Sequence, residues 1–122
     1  MAGTILYIED NPDNKTLVQR ALEAKGYTLL WATTGLNGLE QAGTQKPDLI
    51  LLDINLPDID GYEVARRLKA DPNLRTIPII AITANALKGD ADKALAAGCD
   101  VYMSKPINLR ELWARVMGFL PV

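Results

Sequence analysis

Apolar positions along the chain fall into short β-branched and aliphatic runs that alternate with stretches of helical periodicity. The run T-I-L-Y-I predicts a strand over 4–8. Asn11-Pro12 then offers an N-cap followed by proline at the first helical position. Leu17, Val18, Ala21 and Leu22 form one helical stripe, and Gly26 ends it. A second strand is expected over 27–32. A short, weak helix is expected over 36–42, its length limited by Gly38 and Gly43. D-L-I-L-L at 48–52 is the most apolar run, as suits a strand buried on both faces of a parallel sheet.

The second half repeats the alternation. After a loop over 56–60, Asp60 and Glu63 have capping-box spacing and open a helix through Val64, Ala65 and Leu68. Asp71-Pro72 stops it. A fourth strand is expected over 77–82, with Pro78 tolerable near its start. Asp90 is expected to cap a helix carrying Ala91, Ala94 and Leu95, closed by Gly98. The fifth strand is 101–104. Asn108 and Glu111 then open a last helix with apolar positions Leu109, Leu112, Trp113, Val116 and Leu120. Five β-α units in a row imply an α/β fold with a parallel sheet, right-handed crossovers and helices on both faces.

That architecture changes the meaning of a few sparse polar residues. Glu9 and Asp10, Asp53, Thr83 and Lys105 each follow a strand run. In an open parallel sheet, residues just beyond the strand ends converge on one crevice, where ligands bind. Three carboxylates, a hydroxyl and an ammonium at one rim suit a hard divalent cation and a phosphoryl group. Mg²⁺ takes oxygen ligands and keeps several waters. Asp10 and Asp53 supply two carboxylates, and Glu9 is placed to hold a bound water. A carboxylate held beside Mg²⁺ can attack phosphorus and form an aspartyl phosphate, which gives Asp53 a nucleophile's place. Thr83 and Lys105 then serve the phosphoryl oxygens. Pro106 bears on Lys105, because an X-Pro bond adopts cis at modest cost and a cis bond would turn the lysine inward.

Composition narrows the function further. At 122 residues the chain makes one domain, 1–122, with a single sizeable core. Thirteen Lys and Arg against fifteen Asp and Glu give a net charge of -2, so no general basic field attracts nucleic acid. No apolar run approaches the ~20 residues of a membrane span, and no secretion signal is visible. Cys99 is the only cysteine, expected as a buried, reduced thiol in the cytoplasm. There is no histidine, which removes the commonest general base. No G-x-x-x-x-G-K or G-x-G-x-x-G loop is present.

The motifs I-E-D-N-P-D-N at 8–14, L-D-I-N-L-P-D-I-D-G-Y-E at 52–63, I-T-A at 82–84 and S-K-P-I at 104–107 stand in one order over the whole chain. In this the chain resembles a receiver domain of a two-component response regulator. The resemblance implies a doubly wound, flavodoxin-like five-stranded sheet of order 2-1-3-4-5. It implies Asp53 as phosphoacceptor, and Glu9, Asp10, Asp53 and the backbone carbonyl of Asn55 as ligands of Mg²⁺, for which Mn²⁺ can substitute. Thr83 and Lys105 would bind the phosphoryl group, with Lys105-Pro106 cis. Tyr102 would change rotamer with Thr83 on activation. Asn55 and Asn85 would tune hydrolysis. Glu9 stands where family members often carry Asp.

The implied partners are a sensor histidine kinase or histidine phosphotransfer protein and a downstream protein effector, with the chain a monomer or weak dimer. The output face would be the fourth helix, fifth strand and fifth helix, with Leu87 in the loop before that helix. Trp113 is expected in the core, with a partner anchor as its other reading. A-N-A-L-K-G-D at 84–90 and A-G-C-D-V-Y-M-S-K-P-I at 97–107 are similar in wording to stand-alone regulators of the DivK type. Receivers of hybrid histidine kinases share that wording, so a receiver module of a larger protein and a phosphate sink are the alternatives. Met1 and the end at Val122 favour a small complete protein. A small-molecule phosphohydrolase of the haloacid-dehalogenase type would want Asp where Asn55 stands. A flavin carrier would have its phosphate repelled by the acidic crevice.

Overall fold

The structure is a computed structural model that describes residues 3–84 and 89–121, the side chain of residue 90 excepted. Its elements are β1 (Thr4–Ile8), α1 (Pro12–Glu23), β2 (Thr28–Ala32), α2 (Gly35–Gln45), β3 (Leu49–Asp53), α3 (Gly61–Ala70), β4 (Ile79–Thr83), α4 (Asp90–Ala96), β5 (Val101–Ser104) and α5 (Leu109–Phe119). The five strands form one parallel sheet in the order β2-β1-β3-β4-β5. The expected α/β architecture and strand order are therefore both present.

Strand alternation divides the core into two layers. Leu6, Ile8, Ile50, Leu52, Ile79 and Ala81 face one side, where Ala42 of α2, Val64 and Leu68 of α3 and Ala94 of α4 cover them. Ile5, Tyr7, Leu49, Leu51, Ile80 and Ile82 face the other, under Val18 and Leu22 of α1 and Leu112 and Val116 of α5. Every residue of β3 and β4 is buried. Burying an aliphatic side chain of this size stabilises by ~1.5–3 kcal/mol, so the sheet centre is the rigid base of whatever lies at its rim.

Helix starts follow the capping residues with one exception. Asn11 Oδ1 accepts from the amides of Asp13 and Asn14, and Asn108 Oδ1 from the amide of Glu111. Asp60 Oδ1 accepts from the Tyr62 amide, but Glu63 does not close the box: its carboxylate pairs with Arg66 and Arg67. Asp90 does not cap α4. Gly89, at φ 102°, holds that position and the helix begins at Asp90. The expectations for Asn85 and Leu87 concern positions outside the described residues.

Two apolar stripes also differ from expectation. Leu17 is 45% exposed and Leu95 is 56% exposed, while Ala94 and Ala97 make the buried edge of α4. The expected 36–42 helix is longer, spanning Gly35–Gln45. Thr34 caps it, and the carboxylate of Asp58 accepts from the amides of Gly35 and Leu36. These two side chains satisfy three of the orphan amides at the helix start, which propensity alone does not reveal. Trp113 takes a structural place: it packs on the α1–α5 layer and donates to the carbonyl of Ala21. Cys99 is buried, and burial, with Asp100 beside it, pushes the thiol up to about 11.

Gly61 ties this frame to the rim. A Cβ there would lie 2.5 Å from Ile54 Cα and 2.8 Å from the Asp53 carbonyl oxygen, and neither backbone atom can step aside cheaply. Gly43 faces open space. Gly61→Ala is therefore expected to lower stability by about 1–3 kcal/mol. Gly43→Ala is expected to raise it by about 0.5–1 kcal/mol through helix propensity. Urea unfolding of the two variants checks this, and equal signs would contradict it.

Candidate phosphoryl and cation site at the strand ends

The C-terminal ends of β1, β3, β4 and β5 bring the acidic pair, Asp53, Thr83 and Lys105 to one edge of the sheet. Glu9 follows β1 on the parity of Ile5 and Tyr7, and Asp53 ends β3 on the parity of Leu49 and Leu51. Both are buried, whereas Asp10 is exposed. Carboxylate oxygens of Glu9, Asp10 and Asp53 all lie within 4.8 Å of one another. This is an all-oxygen, anionic donor set, which fits a hard divalent cation.

Lys105 is the counter-charge. Its Nζ lies 3.2 Å from Glu9 Oε1 and 3.2 Å from Asp53 Oδ2. The Lys105-Pro106 bond is cis. The Lys105 amide donates to the Thr83 carbonyl at 2.7 Å, which fixes β5's exit against β4. Burial alone would pull the ammonium down, but the Asp53 and Glu9 carboxylates outweigh it and hold Lys105 above the ordinary lysine range.

The loop after β3 closes the remaining side. The Asn55 amide donates to Asp53 Oδ1 at 3.0 Å, and Asn55 Oδ1 accepts from the Ala84 amide at 3.3 Å. Asp58 pins the same loop to the start of α2. Thr83 is buried at the end of β4, and its register partner is Ser104. Tyr102 is half-buried opposite Ala81, packed on the α2–α3–α4 layer and away from the carboxylates. The structure thus gathers Glu9, Asp10, Asp53, Asn55, Thr83 and Lys105, and sets Tyr102 two residues back from the end of β5.

Three contributors were not anticipated from the sequence. Tyr7 donates its hydroxyl to Glu9 Oε1 at 3.0 Å, and Asn14 donates its carboxamide to the same oxygen at 3.0 Å. Trp31 donates its indole N–H to the Glu9 carbonyl at 2.6 Å. The signal for Tyr7 was present: two residues apart on one strand means one face. Burial, and then the Glu9 and Asp53 carboxylates, hold the Tyr7 phenol well above its usual range, so it stays a donor.

Residues 5–117 match the response regulator receiver domain family, and the chain belongs to it. It is 41% identical over 120 residues to the polar-differentiation response regulator DivK of Brucella anthropi, covering 98% of both chains. The DivK protein of Brucella ovis matches to the same extent. Among solved structures it resembles the receiver domain of the sensor histidine kinase PA1611 from Pseudomonas aeruginosa, with 39% identity, a TM-score of 0.89 and 98% of each chain covered. That protein was solved with a magnesium ion coordinated in its active-site cleft. A response regulator from Chloroflexus aurantiacus superposes with a TM-score of 0.94 at 30% identity over the whole of both chains. Among the described residues, no helix is long and apolar enough to cross a membrane.

Lys105→Met removes the cation that, among the described residues, faces both buried carboxylates. About a fifth of the lysine side chain is open to water, so the loss is smaller than for a fully enclosed pair. The variant is expected to be less stable than wild type by about 1–3 kcal/mol at pH 7. Because the folded-state pKa of Lys105 is raised, its stabilisation is complete below the unfolded value of about 10.4 and disappears as pH rises through the folded value. Urea midpoints of the two proteins should therefore converge above pH ~10.4. A gap that stays constant would contradict the ion-pair account.

Proposed function

We propose that the chain is a phosphorylation-controlled signalling switch that accepts one phosphoryl group on Asp53. The observation that carries this reading is the buried Asp53 carboxylate, flanked by Glu9 and Asp10 and bridged to Glu9 by Lys105. Asp53 Oδ1 is held by the Asn55 amide, which limits rotation of the nucleophile. An Asp53 oxygen attacks phosphorus. The P–N bond of a phosphohistidine donor, or the P–O bond of acetyl phosphate, breaks, and its electron pair leaves with the imidazole or the acetate.

Glu9, Asp10, Asp53 and the backbone carbonyl of Asn55 would hold Mg²⁺, and Mn²⁺ would satisfy the same oxygens. When bound, the ion neutralises charge on the phosphoryl oxygens and on the clustered carboxylates. Lys105 transfers its attraction from Asp53 to a phosphoryl oxygen as the carboxylate charge is replaced, and Thr83 donates its hydroxyl to another. No His is available as a general base, and a carboxylate nucleophile, unlike a hydroxyl, has no proton to surrender on attack.

The donor is a sensor histidine kinase or a histidine phosphotransfer protein. Output goes to a protein effector rather than to nucleic acid, in keeping with the net charge of -2. Thr83 drawn toward the phosphoryl group would release Tyr102 to turn inward and reshape the face of α4, β5 and α5. A preference of ~1.4 kcal/mol between the two states shifts their ratio tenfold. The chain catalyses only its own phosphorylation and dephosphorylation. The identity with a sensor kinase's receiver supports a second setting, a receiver module of a hybrid kinase, with the same chemistry at Asp53.

Incubation with Mg²⁺ and acetyl phosphate should add one phosphoryl mass to the wild-type chain, and Asp53→Asn should abolish it. Labelling of the variant at the wild-type level would assign the acceptor elsewhere. Rapid consumption of many equivalents of acetyl phosphate per chain would make the protein a phosphohydrolase rather than a switch.

A further inference from the structure

Tyr7 has no place in the chemistry proposed above, yet its hydroxyl enters the cation site from the core side. Its ring is fully buried in the layer between the sheet and helices α1 and α5, beside Ile5, Val18 and Leu51. A phenylalanine would fill that apolar space equally well. The hydroxyl is what differs, and a desolvated hydroxyl must find a partner. Its bond goes to Glu9 Oε1 at 3.0 Å.

The two oxygens of Glu9 are unequal. Oε1 receives Tyr7 Oη at 3.0 Å, Asn14 Nδ2 at 3.0 Å and Lys105 Nζ at 3.2 Å. Oε2 has a 3.4 Å contact from the Asn11 amide. Lys105 also serves Asp53, so it is drawn off Glu9 when the Asp53 side of the crevice changes charge. Tyr7 and Asn14 do not depend on that side. Of the two, Asn14 is half-buried on α1 and Tyr7 is fixed by the core.

We propose that Tyr7, assisted by Asn14, is a positioning residue for the divalent cation: it pins Glu9 by Oε1 and leaves Oε2 directed to the ion or its bound water. This rests on the reading of Glu9, Asp10 and Asp53 as the cation site. It also gives the long Glu9 side chain, which has one more rotatable bond than aspartate, the order a ligand needs. Partners of this kind orient a ligand and raise its affinity for metal without touching the metal.

The test is calorimetric titration of Mg²⁺ into wild type, Tyr7→Phe, Glu9→Gln and the double variant. Tyr7→Phe should raise the Mg²⁺ Kd about tenfold, the lower end of what such partners contribute. In the Glu9→Gln background the same substitution should change Kd little, because the residue it acts through is gone. The ¹³C carboxyl resonance of Glu9 should move on Tyr7→Phe before any cation is added. Asn14→Ala, at a position outside the core, should shift Kd in the same direction and serves if Tyr7→Phe folds poorly. Wild-type Kd in both Tyr7→Phe and Asn14→Ala, with Mg²⁺ binding lost in Asp10→Asn, would overturn the positioning role and leave the cation site standing. An equal loss with and without Glu9 would mean that Tyr7 acts through packing, which also overturns it. A wild-type chain that binds no Mg²⁺ would overturn the cation site and this role together.

Discussion

Carboxylate repulsion at the edge of the sheet is the constraint on which the rest depends. Glu9, Asp10 and Asp53 place oxygens within 4.8 Å of one another, and two of the three residues are buried. At an effective dielectric constant of about 20, each such pair repels by about 3 kcal/mol. Lys105, 3.2 Å from two of them, attracts each by about 5 kcal/mol on the same scale, which roughly offsets the repulsion. Three carboxylates and one ammonium still leave a local charge of -2 when all are ionised. A divalent cation matches that charge, and a phosphoryl dianion on Asp53 changes it. The site keeps an excess of negative charge that a divalent cation would neutralise, and any change at Asp53 must be answered by Lys105 and its neighbours.

The frame exists to hold that unfavourable cluster in place. Strand burial makes β3 and β4 rigid, so Asp53 and Thr83 have little freedom to move apart. The loops that could relax are tied instead. Asp58 caps α2 from the β3–α3 loop, Asn55 links that loop to Ala84, and Gly61 lets α3 start against the backbone of Asp53 and Ile54. On the other side Trp31 holds the Glu9 carbonyl and Tyr7 its carboxylate. The candidate site therefore sits at strand ends braced by the β3–α3 loop and by side chains of β1 and β2.

Most of this fold was legible because period-two and helical patterns alternate cleanly, and strand-end polar residues stand out against apolar runs. The failures have different causes. Leu17 and Leu95 look like core residues by spacing, but Val18, Ala21 and Leu22 make the buried face of α1, and Ala94 with Ala97 that of α4. The start of α2 at Gly35 depended on a cap from Asp58, 23 residues on, and its three extra C-terminal residues run to a left-handed Lys46 that carries no glycine signal. Glu63 chose arginines over a capping box, and Gly89 took the place expected for Asp90. The Asp58 cap is a tertiary contact, which a local window does not contain, whereas Glu63 was decided by competing partners within its own helix. Tyr7 was different: its alternation with Glu9 was readable, but a tyrosine inside an apolar strand looks like packing until its hydroxyl is seen to have one destination.

On the proposed function, a change of charge at Asp53 reaches the face of α4, β5 and α5 through Thr83 and Tyr102. Backbone ¹H–¹⁵N resonances recorded with Mg²⁺, before and after beryllofluoride is added as a phosphoryl mimic, test it most directly. The account predicts shifts that run from the ends of β1 and β3 through β4 to Val101, Tyr102 and Met103, and that shrink at the far face in Tyr102→Ala. Shifts confined to residues around Glu9, Asp10, Asp53 and Lys105, with the β5 resonances unmoved, would contradict it and make the chain a phosphate sink.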